Sequence, residues 1–343
     1  MRWIEFAASL KHRWLASCFL VLLLIGPQGL VPHIQAAESA TKSPIGSAVS
    51  KKKTEPQKKS GRQFLRLSKD DKGKPLALEA AIVRFVSASN NNGKPTIVDL
   101  VGAVHIGEPE YYDRLNDEFE KYDVVLFEMV APKDAAIPQN GKKKSDHPVT
   151  ALQNMMTKIL ELEFQLDGVD YSRDNFVHAD MSPEEFNKSM SERKESFLGM
   201  FLRSLGYAMT QPSGTSGSGD AQLLMALFDK NRALALKRVM AGQFQDMGGV
   251  LAVLDGPNGS TLITERNKVA LAVLKKQLAT GTKKVAIFYG AGHLPDMAKR
   301  LEDDFGMKPK DTRWLRAWDL RDEKSKSDKD AKDKKSAGAK VDQ

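Results

Sequence analysis

Two histidines and one glutamate are the residues of this sequence best placed to do chemistry. His105 and His293 each end a Gly-X-X-His motif, whose glycines are Gly102 and Gly290, and Glu128 lies in the apolar run 124–130. A buried carboxylate is costly unless it is paired or binds a metal. Two imidazoles and one carboxylate match a three-ligand metal site with an open position, for which Mn, Co and Zn are all admissible. Such an ion would activate water and polarise a carbonyl.

Glu128 has two other uses that the sequence leaves open. It is either a general base whose pKa the site adjusts or a partner in a buried salt bridge. Arg266, in the run Glu265-Arg266-Asn267 at a predicted helix start, either acts on a substrate carbonyl or carboxylate or forms an ordinary surface ion pair. Asp180 is expected to help begin the next helix rather than to join the site.

Several classes of protein are excluded by what the sequence lacks. It contains no His-Glu-x-x-His, no Gly-x-Ser-x-Gly, no phosphate-binding loop and no dinucleotide fingerprint. Its one cysteine, Cys18, falls in a predicted signal segment, which leaves the mature chain without a disulfide or a thiol nucleophile. Of the net charge of +8, residues 1–60 carry +6 and residues 321–343 carry +2, so residues 61–320 are neutral. Nucleic acid is therefore not an expected partner.

The hydrophobic pattern predicts the elements that must position these residues. Strands are expected at 80–86, 96–104, 123–130, 284–289 and 312–320, and helices at 149–164, 221–244 and 262–278 and from Pro109, Pro183 and Pro295. The turn at 90–93 predicts a hairpin between the first two strands. Each Gly-X-X-His motif stands in a strand–motif–helix–strand unit. We therefore expect an α/β fold with a mixed sheet and flanking helices, in which the Glu128 strand neighbours the His105 strand and their C-terminal ends meet.

The chain divides into four segments by composition. Residues 1–37 have the order of a secretory signal peptide, with an uncleaved anchor as the alternative. Residues 38–60 read as a disordered linker, 61–320 as the catalytic domain and 321–343 as a disordered charged tail. Within the domain, 133–148 reads as a surface insertion and 211–220 as a mobile loop. We expect an exported protein, periplasmic or secreted, whose basic linker is suited to touch an anionic membrane surface.

The ordered set of motifs resembles the TraB/PrgY/TIKI family, which is grouped with GumN-like proteins. The resemblance covers residues 78–320 and rests on the segments 101–105, 123–128, 265–267 and 289–293. It implies an α/β domain related to erythromycin esterases and ChaN-like haem-uptake proteins. It also implies metal-dependent proteolysis with Mn or Co, and in PrgY-like members pheromone shutdown. The residues to which the family's roles carry over are Gly102, His105, Glu128, Arg266, Asn267, Gly290 and His293.

Two functional hypotheses follow from these observations. The first is a metal-dependent hydrolase, a peptidase that acts on peptides outside the cytoplasm, with His105, Glu128 and His293 as ligands and Glu128, Arg266 and Asn267 as catalytic residues. The second is a protein that binds a peptide, a pheromone or another small molecule, or haem or a metal, without turnover. The same pocket would serve either one.

Overall fold

A mixed α/β sheet organises the computed structural model of the chain. The structure describes residues 62–88, 95–132, 155, 157–210, 217–244, 251 and 253–322. The predicted signal peptide, the linker, the turn at 90–93, the insertion at 133–148 and most of the tail lie outside these residues. No helix among the described residues has the length and apolar character needed to cross a membrane.

Seven strands form the main sheet. They are β1 (Leu65–Lys69), β2 (Pro75–Val86), β3 (Ile97–Ala103), β5 (Val124–Phe127), β7 (Phe176–His178), β8 (Lys284–Gly290) and β9 (Lys308–Asp319). The order is β1-β2-β3-β8-β5-β7, and β9 pairs with the long strand β2. Pairs that involve β2 are antiparallel, whereas β3, β8, β5 and β7 run parallel. A separate ribbon pairs β4 (Ile106–Gly107) with β6 (Glu163–Phe164).

Helices cover both faces of this sheet. They are α1 (Pro109–Phe119), α2 (Gln165–Gly168), α3 (Pro183–Glu192), α4 (Phe197–Thr210), α5 (Gly217–Leu227), α6 (Arg232–Phe244), α7 (Arg266–Ala279) and α8 (Leu294–Asp303), and a π-helical turn (Thr261–Glu265) runs directly into α7. One core cluster packs around α1 and Trp318, and a second lies under α7 and α8 on the other face. A third, smaller cluster joins α3 and α4 to the π turn.

The structure confirms the α/β class and most of the local predictions. The predicted hairpin is present, with Ile97 opposite Val86. Helices begin at Pro109 and at Pro183 as expected, and the second has a capping box in which Ser182 and Glu185 bond each other's backbone. These features follow from residues close together in sequence, where turn and capping chemistry act.

Three local predictions are wrong, and a fourth is right only over a shorter range, because α5 begins at Gly217 and residues 217–220 therefore do not belong to the loop expected over 211–220. The Glu128 strand does not neighbour the His105 strand, because β8 lies between them. The helix expected over 221–244 is two helices, since Asn231 caps the second one by accepting Leu234 N–H at 3.2 Å. The helix expected over 149–164 does not reach its predicted end, because residues 163–164 form β6. In the last two cases a cap or a tertiary pairing overrides apolar periodicity.

Candidate active site

The two Gly-X-X-His motifs lie side by side because their strands are neighbours. β3 and β8 run parallel, with Gly102 opposite Tyr289 and Ala103 opposite Gly290. Both strands therefore turn towards their helices at the same edge of the sheet. Ala291 N–H donates to Ala103 O at 3.3 Å, which ties one corner to the other.

Each motif glycine stands where a side chain would meet another group. A Cβ at Gly102 would lie 3.3 Å from Ala81 O and 3.4 Å from Phe64 O. A Cβ at Gly290 would lie 3.2 Å from Glu128 Oε2. The first glycine allows close approach of backbone, and the second leaves room for the carboxylate of the site.

Glu128 follows β5 directly and points its carboxylate at the corner that ends β8. Its Oε1 accepts from Arg266 Nη2 at 2.7 Å, and its Oε2 accepts from Gly290 N at 2.6 Å. Burial alone would raise the pKa of Glu128, but the charges of Arg266, His293 and His105 and the Gly290 N–H lower it to about 2. The side chain is therefore a permanent carboxylate at neutral pH.

Arg266 opens α7 and holds two buried carboxylates at once. Its Nε donates to Asp180 Oδ1 at 3.0 Å, and Nη2 bonds Asp180 Oδ2 at 2.5 Å and Glu128 Oε1 at 2.7 Å. Burial lowers the pKa of Arg266, but Asp180 and Glu128 outweigh burial and raise it above its ordinary value. The planar guanidinium group of Arg266 thus bonds the protein's own carboxylates, and these bonds fix Glu128 in place.

His293 is buried and held in one tautomer. Asn267 donates its amide to His293 O at 3.1 Å and to Asp296 Oδ2 at 2.8 Å, so its Oδ1 faces His293 Nδ1 at 2.7 Å. Nδ1 therefore carries the proton and Nε2 keeps its lone pair. Nε2 lies 3.5 Å from Glu128 Oε1 and 3.5 Å from Arg266 Nη1. Burial is the main reason that the pKa of His293 is lowered, and Arg266 adds to that effect.

His105 is half-buried at the other corner. Its Nδ1 lies 3.0 Å from Gln165 Oε1, and Gln165 Nε2 donates to Tyr171 OH at 2.8 Å. His105 is close enough for its charge to act on both Glu128 and His293. The site therefore has an imidazole at each corner, and the carboxylate of Glu128 is within electrostatic reach of both.

The donors of this site fit a divalent cation in chemistry and charge, although they are not assembled as a ligand cluster. Among the described residues, no group of three or more His, Cys, Asp and Glu side chains is arranged to hold a metal ion, and this includes His105, Glu128 and His293. The 3.5 Å between His293 Nε2 and Glu128 Oε1 is close to the roughly 3.4 Å between two ligands of one tetrahedral ion. With neutral imidazoles, Glu128, Asp180 and Arg266 leave a net charge of −1, which attracts a cation.

Sequence reasoning located the corners and missed their supports. His105, Glu128, Arg266, Asn267 and His293 meet at one edge of the sheet as expected. The supports that it missed are Asp180, which clamps Arg266 instead of beginning α3, and the pair Gln165 and Tyr171 behind His105. Asp180 had one usable signal, since it is an acid two residues after the short segment that forms β7 (Phe176–His178). Gln165 and Tyr171 had none.

Fold and site together define the class of the molecule. It is an α/β protein with a mixed seven-stranded sheet, whose imidazole, carboxylate and guanidinium groups gather at the C-terminal edge of the parallel strands. No protein-family model matches the chain, and no curated protein matches it in sequence.

Proposed function

We propose that this protein is a metal-dependent hydrolase, a peptidase that acts on peptides outside the cytoplasm. The observation that carries the proposal is the arrangement around His293 Nε2. This nitrogen keeps a lone pair in a buried site and lies 3.5 Å from a carboxylate that stays ionised. A fixed lone pair beside a fixed negative charge is an arrangement suited to activating water.

The residues that would hold the metal are His293, Glu128 and His105. Both imidazoles bond a side-chain amide through Nδ1, which is the kind of outer support that orients metal-binding histidines. Mn, Co and Zn are all compatible with two nitrogens and one carboxylate oxygen. When bound, such an ion supplies a more acidic water and polarises the carbonyl to be attacked.

The remaining roles belong to the protein's own groups. A carboxylate with a pKa of about 2 is a weak base at neutral pH, so Glu128 serves as a ligand and as a negative charge rather than as the main proton acceptor. The lowered pKa of His293 keeps Nε2 unprotonated, as a metal ligand requires. Arg266 positions Glu128, and Asn267 positions His293.

The substrate class and the location rest on sequence. The resemblance to the TraB/PrgY/TIKI family makes peptides the first substrates to test. As part of the same proposal, the fold is related to those of erythromycin esterases and TIKI proteins. The signal-peptide pattern of residues 1–37 supports action in the periplasm or outside the cell.

Metal analysis of the purified chain, followed by a peptide-library cleavage assay with Mn, Co and Zn, tests this proposal. His105→Ala and His293→Ala should each lose most of the bound metal and nearly all turnover. Arg266→Lys should lose turnover more than metal, because the charge stays while the fork is lost. His147→Ala is the matched control, since the sequence places His147 in a Lys-rich stretch away from both motifs.

The outcomes separate the two functional hypotheses. Metal or haem bound at the site without cleavage of any peptide would support the binding protein instead. Full metal content and full activity in both alanine variants would show that His105 and His293 do not form the proposed site.

A further inference from the structure

We propose that Gln165 is a positioning residue, which holds His105 in the tautomer protonated at Nδ1 so that Nε2 presents its lone pair to the site. The inference deepens the proposed function. It rests on that function only for what the lone pair on Nε2 is used for. The tautomer itself is a property of the folded protein and is measurable without any substrate.

The backbone places Gln165 directly opposite His105. In the ribbon of β4 and β6, Ile106 pairs with Phe164 and Gly107 with Glu163. The next residues outward in this antiparallel register are His105 and Gln165, and Gln165 N–H donates to His105 O at 2.9 Å. Gln165 is thus fixed to His105 through its backbone before its side chain makes any contact.

The side chain of Gln165 then makes a second link to the same histidine. Oε1 lies 3.0 Å from His105 Nδ1, and Gln165 is only 6% exposed, so water does not replace this bond freely. An amide oxygen only accepts, which requires a proton on Nδ1 and leaves Nε2 bare. Nε2 is the nitrogen that a metal ligand or a proton acceptor needs.

Tyr171 binds the amino end of the Gln165 amide. Its hydroxyl accepts from Gln165 Nε2 at 2.8 Å, and its ring is packed edge-on against Phe127 and Phe176 at 5.3 and 5.6 Å. Burial raises the pKa of Tyr171 above its ordinary value, so the hydroxyl stays neutral. With the amino end of the amide engaged there, the oxygen is left for His105.

The other corner uses the same device, which is an independent reason for the assignment. At His293 the amide oxygen of Asn267 meets Nδ1 at 2.7 Å, and the amino end of that amide is held by two acceptors. Two Gly-X-X-His corners therefore each have an amide behind the imidazole. Gln165 lies in α2 and Asn267 lies in α7. Because these helices are unrelated, the spacing of the two amides in the sequence does not indicate that they play the same part.

The test is nitrogen NMR of the whole chain labelled with ¹⁵N-histidine, freed of metal by a chelator, at about pH 8.5, where an ordinary imidazole is neutral. Loss of signal in His105→Ala assigns the resonance. We expect the wild-type proton on Nδ1. Gln165→Glu should keep it there, because a carboxylate also only accepts. Gln165→Leu should give a mixture of tautomers, and Tyr171→Phe should weaken the preference.

Tyr122→Phe is the matched control, because it removes a buried hydroxyl bond of 2.7 Å to Asp99, away from both corners. It should leave the His105 tautomer unchanged. A wild-type proton on Nε2, or an unchanged tautomer in Gln165→Leu, would overturn the inference. If Gln165→Leu does not fold, Gln165→Glu decides alone. If the wild-type amide presented its amino group to His105 Nδ1, the proton would be on Nε2, and replacement by the accepting carboxylate of Gln165→Glu would move it to Nδ1.

Turnover adds a second readout once a substrate is found. Gln165→Leu should lower kcat by about 10- to 100-fold, and Gln165→Glu should restore most of it. Absence of turnover in every variant, wild type included, would count against the proposed hydrolase. The NMR result for Gln165 would stand unaffected in that case.

Discussion

At the scale of single residues, the site is a buried charge network in which one arginine serves two acids. Asp180 is fully buried and takes two bonds from Arg266, and Glu128 takes the third. Removing one member of such a network leaves a buried charge without its partner. The resulting loss of stability is larger than the net stabilisation that the intact network provides. The network therefore fixes the geometry of the site more than it stabilises the fold.

Glu128 should make stability depend on pH in the acid range. Its folded-state pKa of about 2 lies below the ordinary 4.5. Its contribution of roughly 3 kcal/mol is thus complete above about 4.5 and is lost as the pH falls through about 2. Urea unfolding between pH 2 and 7 should show Glu128→Gln less stable than wild type at pH 7, with the gap closing between pH 4.5 and 2.

Glu302→Gln provides the comparison for this measurement. Glu302 pairs with Arg62 at 2.9 Å but is 43% exposed, and exposed pairs contribute about 0–1 kcal/mol. Its substitution should leave the pH profile of the wild type almost unchanged. A gap for Glu128→Gln that stays constant down to pH 2 would show that Glu128 is not held as an anion by Arg266.

At the scale of elements, the ribbon of β4 and β6 carries His105 and Gln165 and is fastened by Tyr112. The Tyr112 hydroxyl donates to Val104 O at 2.9 Å, and its ring lies against Gly168. A Cβ at Gly168 would lie 2.5 Å from that ring, too close for any side chain. The position of the ribbon therefore depends on a glycine far from both motifs in sequence.

Gly168→Ala should displace Tyr112 and the ribbon together. We expect a loss of about 1–3 kcal/mol in the free energy of unfolding, because the ring is packed and cannot move aside freely. Turnover on any substrate should fall as well, since Gln165 and His105 shift with the ribbon. Denaturant unfolding and the cleavage assay measure the two effects.

Gly242→Ala is the control for that substitution. Gly242 lies in α6, and an added Cβ would meet no atom within 4 Å. Alanine should stabilise this helix by about 0.5–1 kcal/mol and leave the site alone. If Gly168→Ala behaved like Gly242→Ala, the ribbon would not depend on the contact with Tyr112.

At the scale of the whole molecule, the two ends of the described chain are bonded into the sheet. Leu320 N–H donates to Leu76 O at 2.9 Å, and Arg238 bonds Leu320 O at 2.9 Å and Asp322 at 2.7 Å. Residues 321–322, which the sequence assigned to the tail, thus contact the domain. The folded part of the chain therefore includes residues 321 and 322.

Limited proteolysis of the whole chain should therefore leave a core that ends after residue 322. We expect the first internal cut in 211–216, the part of the predicted Gly- and Ser-rich loop that precedes α5. Strands β2 and β3 should resist, because β2 is paired on both sides. Mass spectrometry of the fragments identifies the cuts, and early cleavage within 75–86 or 97–103 would contradict the assignment of one folded unit.

The sequence by itself determined which residues stand at the corners of the sheet. Glycine and histidine at the end of an apolar strand are a local pattern, and a parallel sheet brings all such strand ends to one edge. His105, His293 and Glu128 were therefore predictable as residues of one sheet edge, even though the Glu128 strand was wrongly expected to neighbour the His105 strand. Arg266 was predictable as part of the site only through the family resemblance.

Only the tertiary structure decided how those residues are held. Arg266 is 86 residues from Asp180 and 138 from Glu128, and Gln165 is 60 from His105. Contacts over such distances depend on the order of the strands and on a two-residue ribbon too short to show any periodicity. Local patterns specify backbone conformation, whereas tautomers, ion pairs and pKa values depend on which side chains the completed sheet brings together.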